Sequence, residues 1–192
     1  MNFIKDPYIW ITCILILFLL ITFGLKIDYM NISRIIKNHI SNFKDDNNKI
    51  PIMVLFLYFV MPLALAWSCV NIKVINDDIV GNITVMLSII TAMLFTLLPM
   101  LMELRYKMND RLKDNPSKLR ESKILVRETV DSIMFEVLIA VVLLILSFTL
   151  TFPGMNNKVV SCTVYYLLFM FLMNLMIVLK RFYILFKDGI NN

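Results

Sequence analysis

One histidine, His39, and three cysteines are all the imidazole and thiol chemistry that the 192 residues contain. A single imidazole excludes a multi-histidine metal site within one chain, and three thiols exclude a disulfide-stapled scaffold. Four glycines and six prolines exclude collagen-like and low-complexity classes. No H-E-x-x-H, G-x-S-x-G, C-x-x-C or glycine-rich phosphate loop occurs. Metalloprotease, hydrolase, thiol-redox and nucleotide chemistry therefore lack their motifs. His39 lies between apolar blocks, away from any span-borne nucleophile. The expectation is a protein that is not an enzyme, with no catalytic residue, metal or cofactor. Charge is scarce too, at 17 % of residues against about 25 % in soluble domains.

What replaces it is Leu, Ile, Phe and Met in long blocks. A helix crosses a bilayer core of roughly 30 Å with about 20 mostly apolar residues. Five stretches fit, at 8–25, 51–70, 79–101, 132–152 and 159–179. The first reads as a retained span rather than a signal peptide. Its flank "MNFIKDP" offsets the single Lys5 with Asp6, and no small-residue cleavage site follows.

Lys and Arg are distributed unevenly between these blocks. Segments 26–50, 102–131 and 180–192 carry five, eight and three, whereas the three alternate segments carry one each. The positive-inside bias then places the N-terminus outside and the C-terminus in the cytoplasm, with both long loops cytoplasmic. The expected fold is all-α: a multi-pass transmembrane helical bundle of about five spans with a cytoplasmic helical hairpin between spans 3 and 4. The outward connections "NIKVINDD" and "PGMNNK" are too short for an external domain. The N-x-[ST] matches at Asn31 and Asn82 fall in a cytoplasmic loop and a span, and are discounted as glycosylation signals.

Segment 26–50 repeats Ile32, Ile35, Ile36, Ile40 and Phe43 at helical spacing, with Arg34, Lys37 and Lys44 between them. It reads as an amphipathic helix on the inner membrane surface, or as a docking helix for a partner. In 102–131, Leu104, Met108 and Leu112 carry the stripe of span 3 onward. Asn115 and Pro116 supply a cap and first helical position, and Leu119, Val126, Val130 and Ile133 lead back into span 4. The polar face of this hairpin holds Arg105, Arg111, Lys113, Lys118, Arg120 and Arg127, the candidate surface for a cytoplasmic protein. Interspersed acids and a lone Tyr106 argue against nucleic acid. The end of the chain, "KRFYILFKDGINN", reads as span 5 emerging into an interfacial tail.

Within the spans, Asn82, Glu136 and Asn174 are the polar candidates, either bonding helix to helix or lining a path. The orientation puts Glu136 about one turn deep on the cytoplasmic side, within reach of the interface or of Lys26, Arg105 or Arg127. Pro62 and Pro99 are expected to kink their helices. Cys69 and Cys162 fall near the outer ends of spans 2 and 5, as a disulfide in an oxidising compartment or as buried free thiols.

Two functions fit these features. One is an oligomeric membrane subunit that docks or regulates a cytoplasmic partner. The other is a channel-forming or permeabilising effector, or a small transporter component, with several copies around a pore. In size, span number and the cytoplasmic segment "LRYKMNDRLKDNPSKLRESKILVRE" the chain resembles the small multi-pass membrane subunits of bacterial anti-phage defence systems of the Kiwa type. That resemblance implies a bacterial inner-membrane homo-oligomer that senses envelope disturbance during infection and controls a cytoplasmic effector.

Overall fold

The computed structural model describes residues 32–44, 49–111, 116–152 and 157–190, and all regular structure among them is helical. Helix α1 is Ser33–Ser41 and α2 is Ile52–Ile72. Helices α3 (Asp77–Arg111), α4 (Pro116–Leu150) and α5 (Lys158–Ile190) follow. Four of these, α2 to α5, are long and apolar enough to cross a membrane. They contain the four later spans read from the sequence except Pro51, Thr151 and Phe152, which fall just outside the helices; the span at 8–25 lies outside the described residues. The chain is a multi-pass helical membrane protein by this criterion.

Local chemistry sets the helix starts. The Asn76 side-chain oxygen accepts from the Ile79 amide at 3.2 Å, and Asp77 and Asp78 occupy the first turn of α3, where carboxylates complement the helix dipole. Pro116 opens α4 at the one position where a missing N–H costs nothing. Within α2, residues Phe56–Val60 form a π turn, in which the Met61 amide donates to the Phe56 carbonyl five residues back. Pro62 follows immediately. Its ring has no N–H and excludes the ordinary bond four residues back, and the widened turn accommodates this. Helix α3, by contrast, runs through Pro99 without interruption.

Helices α3 and α4 have 35 residues each, about 52 Å at the helical rise. Some 20 Å of each therefore extends beyond a core of roughly 30 Å. Buried positions alternate at three and four residues along α4: Val126, Thr129, Ile133, Glu136, Ala140, Leu143, Ser147 and Leu150. The same period runs down α3 through Val80, Ile83, Leu87, Leu94, Leu101 and Met108. On α5 it runs through Val164, Phe171, Asn174, Val178 and Leu185. This is the seam of a coiled-coil-like bundle. Helix α4 lies at its centre: 50 % of its most apolar stretch is buried, against 17 % for α2 and α3.

Two differences from the sequence expectation matter. The residues after Lys180 are no interfacial tail. Helix α5 continues to Ile190, and Phe182 and Leu185 are buried with Met108 and Val126, so the hairpin is completed as a three-helix bundle. Nor does α1 lie free on a surface, because Ile35, Ile36 and Phe43 pack against the chain's own core and His39 is buried. Replacing Leu185 with Ala should cost about 2–5 kcal/mol, read as lost stability in detergent denaturation. A loss within about 0.5 kcal/mol, as for a surface residue, would instead fit an interfacial tail.

Candidate functional site

Polar side chains are buried where the apolar bundle meets the hairpin. Glu128, Ser132 and Glu136 stand one turn apart on α4, and Asn174 and Arg181 stand two turns apart on α5. The antiparallel register brings each α5 side chain between two of the α4 groups. Asn174 Nδ2 donates to Glu136 Oε2 and, at 3.3 Å, to the Ser132 carbonyl. Arg181 donates through Nη1 to Ser132 Oγ at 3.1 Å and pairs through Nη2 with Glu128 Oε2 at 3.5 Å. Ser132 Oγ in turn donates to the Glu128 carbonyl at 2.9 Å. Burial holds the Arg181 guanidinium below its ordinary pKa, and the charges of Glu128 and Asp131 offset part of that.

A second group sits on the other flank of the same α4 turn. The His39 ring stacks on Phe135 with centroids 4.1 Å apart, and its Nε2 shares a 3.1 Å hydrogen bond with the Tyr58 hydroxyl. Phe43 closes the box, edge-on to His39 at 5.0 Å. Asn38 Nδ2 donates to Asp131 Oδ1 at 3.5 Å. Tyr58 lies in the π turn of α2, so that irregularity supplies the hydroxyl that meets α1. Four helices thus converge on residues 128 to 136.

Satisfaction is incomplete. Among the described residues, Glu136 Oε1, Asn174 Oδ1 and His39 Nδ1 are buried without a hydrogen-bond partner. A buried carboxyl oxygen without a donor is among the costliest features an interior can hold. Such a cost is tolerated where the group specifies register or acts as a switch.

The residues singled out from sequence are divided by this geometry. Glu136 and Asn174 are brought into contact, both at 0 % exposure. Glu136 therefore neither reaches an interface nor meets Arg105 or Arg127, which are exposed; Lys26 lies outside the described residues. Asn82 is exposed toward the opposite end of the bundle. Arg105, Arg120 and Arg127 border a groove between α3 and α4, and Lys118 is exposed near the hairpin tip. Lys113 and the Arg111 side chain lie outside what is described. Cys69 and Cys162 are both free thiols. Among the described residues no three His, Cys, Asp or Glu converge as a metal site.

Sequence reasoning missed His39, Tyr58, Ser132, Glu128 and Arg181. A signal for the last three existed: polar residues recur one turn apart on α4 and two turns apart on α5, beside a three-four apolar seam. No family model, curated protein or solved structure matches the chain.

Two outcomes follow from these contacts. Glu136→Gln should leave stability nearly unchanged, because the amide keeps an acceptor for Asn174. Glu136→Leu should cost about 1–3 kcal/mol by removing that acceptor. The double variant Glu136→Leu/Asn174→Leu should recover most of the loss, since an apolar pair leaves nothing unsatisfied. Thermal unfolding in detergent, run as a double-mutant cycle, measures all three.

His39 yields a pH dependence. Burial first, then the positive Arg181, lowers its pKa from 6.5 to about 4. Docked α1 therefore favours the neutral imidazole, whereas undocked α1 takes up a proton near pH 6.5. Docking is unaffected above that value and weakens as pH falls toward 4, by at most about 1.4 kcal/mol per pH unit. The melting temperature should drop between pH 7 and 5, and a His39→Gln variant should lose that component of the drop.

Proposed function

We propose that this chain is a non-enzymatic, oligomeric subunit of a bacterial inner membrane that senses disturbance of the envelope and regulates a cytoplasmic protein docked on its hairpin. The observation that carries this reading is continuity. Helices α3, α4 and α5 pass unbroken from the apolar bundle into the hairpin bundle, and the Glu136–Asn174 and Arg181–Glu128 contacts lie at the junction. A helix has no joint at that level, so a displacement of α4 against α5 in the membrane must reappear at the hairpin. The contacts that resist it are polar, few and not fully satisfied, which suits a device with two arrangements.

The cytoplasmic placement of the hairpin rests on the Lys and Arg asymmetry between segments. The defence context rests on the layout shared with Kiwa-type membrane subunits. Exposed Phe56, Leu63 and Trp67 on α2 and Val85, Ile89 and Met93 on α3 supply faces for lipid or neighbouring copies. A conduit through one copy is disfavoured, because the buried residues of α4 between Glu136 and Ser147 are Ile139, Ala140 and Leu143, about 16 Å of apolar path.

The test reverses Arg111, Lys113, Lys118 and Arg120 to Glu and asks whether the soluble protein of a co-transcribed neighbouring gene still co-purifies. Capture lost, with oligomeric assembly intact, supports the docking role. Absence of any such partner, together with dye leakage from vesicles holding this chain alone, would favour a permeabilising effector.

A further inference from the structure

The groove between α3 and α4, about 620 Å3 in volume, runs from the start of α4 at Pro116 up to Asp131, outside the Glu136–Asn174 and Arg181–Glu128 contacts. That size suits a small-molecule site, typically about 300–1,000 Å3. Four cations border it, Arg105, Arg120, Lys123 and Arg127, against one acid, Asp131. None of the four cations has an ion-pair partner among the described residues. Elsewhere the same helices do pair their charges: Lys107 binds Glu103 at 2.6 Å, and Glu128 binds Arg181. Four unpaired like charges around one concavity produce a focused positive field that an anion would relieve.

The wall between the cations is apolar. Met102 and Ile124, which line it, are 55 % and 48 % exposed, and Val130 lies beside them. A bare anion would satisfy the charges and leave that wall in water. An amphiphile covers both. Height decides further: Met102 directly follows the span at 79–101, and Asp131 directly precedes the span at 132–152. Arg105 and Arg127 stand four and five residues beyond the span ends at 101 and 132, about 6 to 7.5 Å along the helices. A headgroup layer occupies that depth. Basic pockets between helices at this level of the cytoplasmic face recognise anionic lipid headgroups.

We propose that the α3–α4 groove binds the headgroup and upper acyl chain of an anionic glycerophospholipid. The phosphate meets Arg105 and Arg127, Lys123 stands one turn beyond them on the aqueous side, and the chain lies on Met102 and Val130. Arg127 and Asp131 adjoin Glu128 and Ser132 in the same turns of α4, so an occupant bears on the segment that holds Arg181. The inference rests on the proposed inner-face position of the hairpin, and not on any docked protein.

Native mass spectrometry of the full chain, with dioleoyl phosphatidylglycerol and dioleoyl phosphatidylcholine as probes, tests it. The intact chain should retain phosphatidylglycerol selectively. Arg105→Gln/Lys123→Gln/Arg127→Gln should weaken that retention on the order of 100-fold. Arg34→Gln/Lys37→Gln/Lys180→Gln, which removes the same charge elsewhere, should stay within about threefold, as should the charge-keeping Arg105→Lys/Arg127→Lys. Equal retention of the two lipids, or equal weakening in groove and control variants, overturns the proposal. So does displacement of phosphatidylglycerol by free glycerol 3-phosphate at matched concentration, which would assign the groove to a soluble phosphate. Loss of lipid selectivity with partner capture intact sinks this inference alone. Thiol labelling that places the hairpin outside would sink the functional reading with it.

Discussion

Helices α4 and α5 are held in register by Glu136 against Asn174 and, two turns on, by Arg181 against Glu128 and Ser132. Apolar layers of a three-four seam tolerate sliding, because one Leu or Val packs against another at much the same cost. Polar layers do not. A shift of one turn would strand a carboxyl, an amide and a guanidinium in the interior, each at a penalty of kilocalories. The seam supplies most of the burial, and these few groups specify which alignment it adopts.

The remaining elements attach to that alignment. Ser132, Phe135 and Glu136 lie within five residues, so the turn that fixes α5 also presents the ring on which His39 stacks. Tyr58 reaches His39 from a turn that Pro62 prevents from being an ordinary α-helix. The C-terminal part of α5 follows the register set by Arg181 and buries Phe182 and Leu185 in the hairpin. Membrane bundle and hairpin are thereby one packed object, with their polar contacts concentrated at the level where the apolar segments end.

This concentration gives the functional proposal its physical content. A perturbation of lipid packing acts on exposed α2 and α3 faces, while a ligand or protein acts on the hairpin. Both reach α4, the most buried helix. The unpaired cations of the α3–α4 groove border the same stretch of that helix, which makes the membrane surface itself a candidate effector.

The helical class, four of the apolar segments and the hairpin between α3 and α4 were legible from composition and period, since those depend on local spacing alone. So was the anomaly of Glu136 within an apolar run. Its partner was not legible: spacing shows which face a residue occupies, and nothing local says which distant face it meets. Neighbouring cations were therefore the natural guess, and a neutral amide 38 residues away is the contact. His39 was hidden for a related reason. An amphipathic helix looks the same whether lipid or its own chain covers the apolar side, and only tertiary packing decided that Phe135 and Tyr58 do so. By itself the sequence determined which segments must leave water and which must stay in it, because that is a sum over residues. The tertiary structure alone decided which polar groups share the interior, because that depends on how whole helices align.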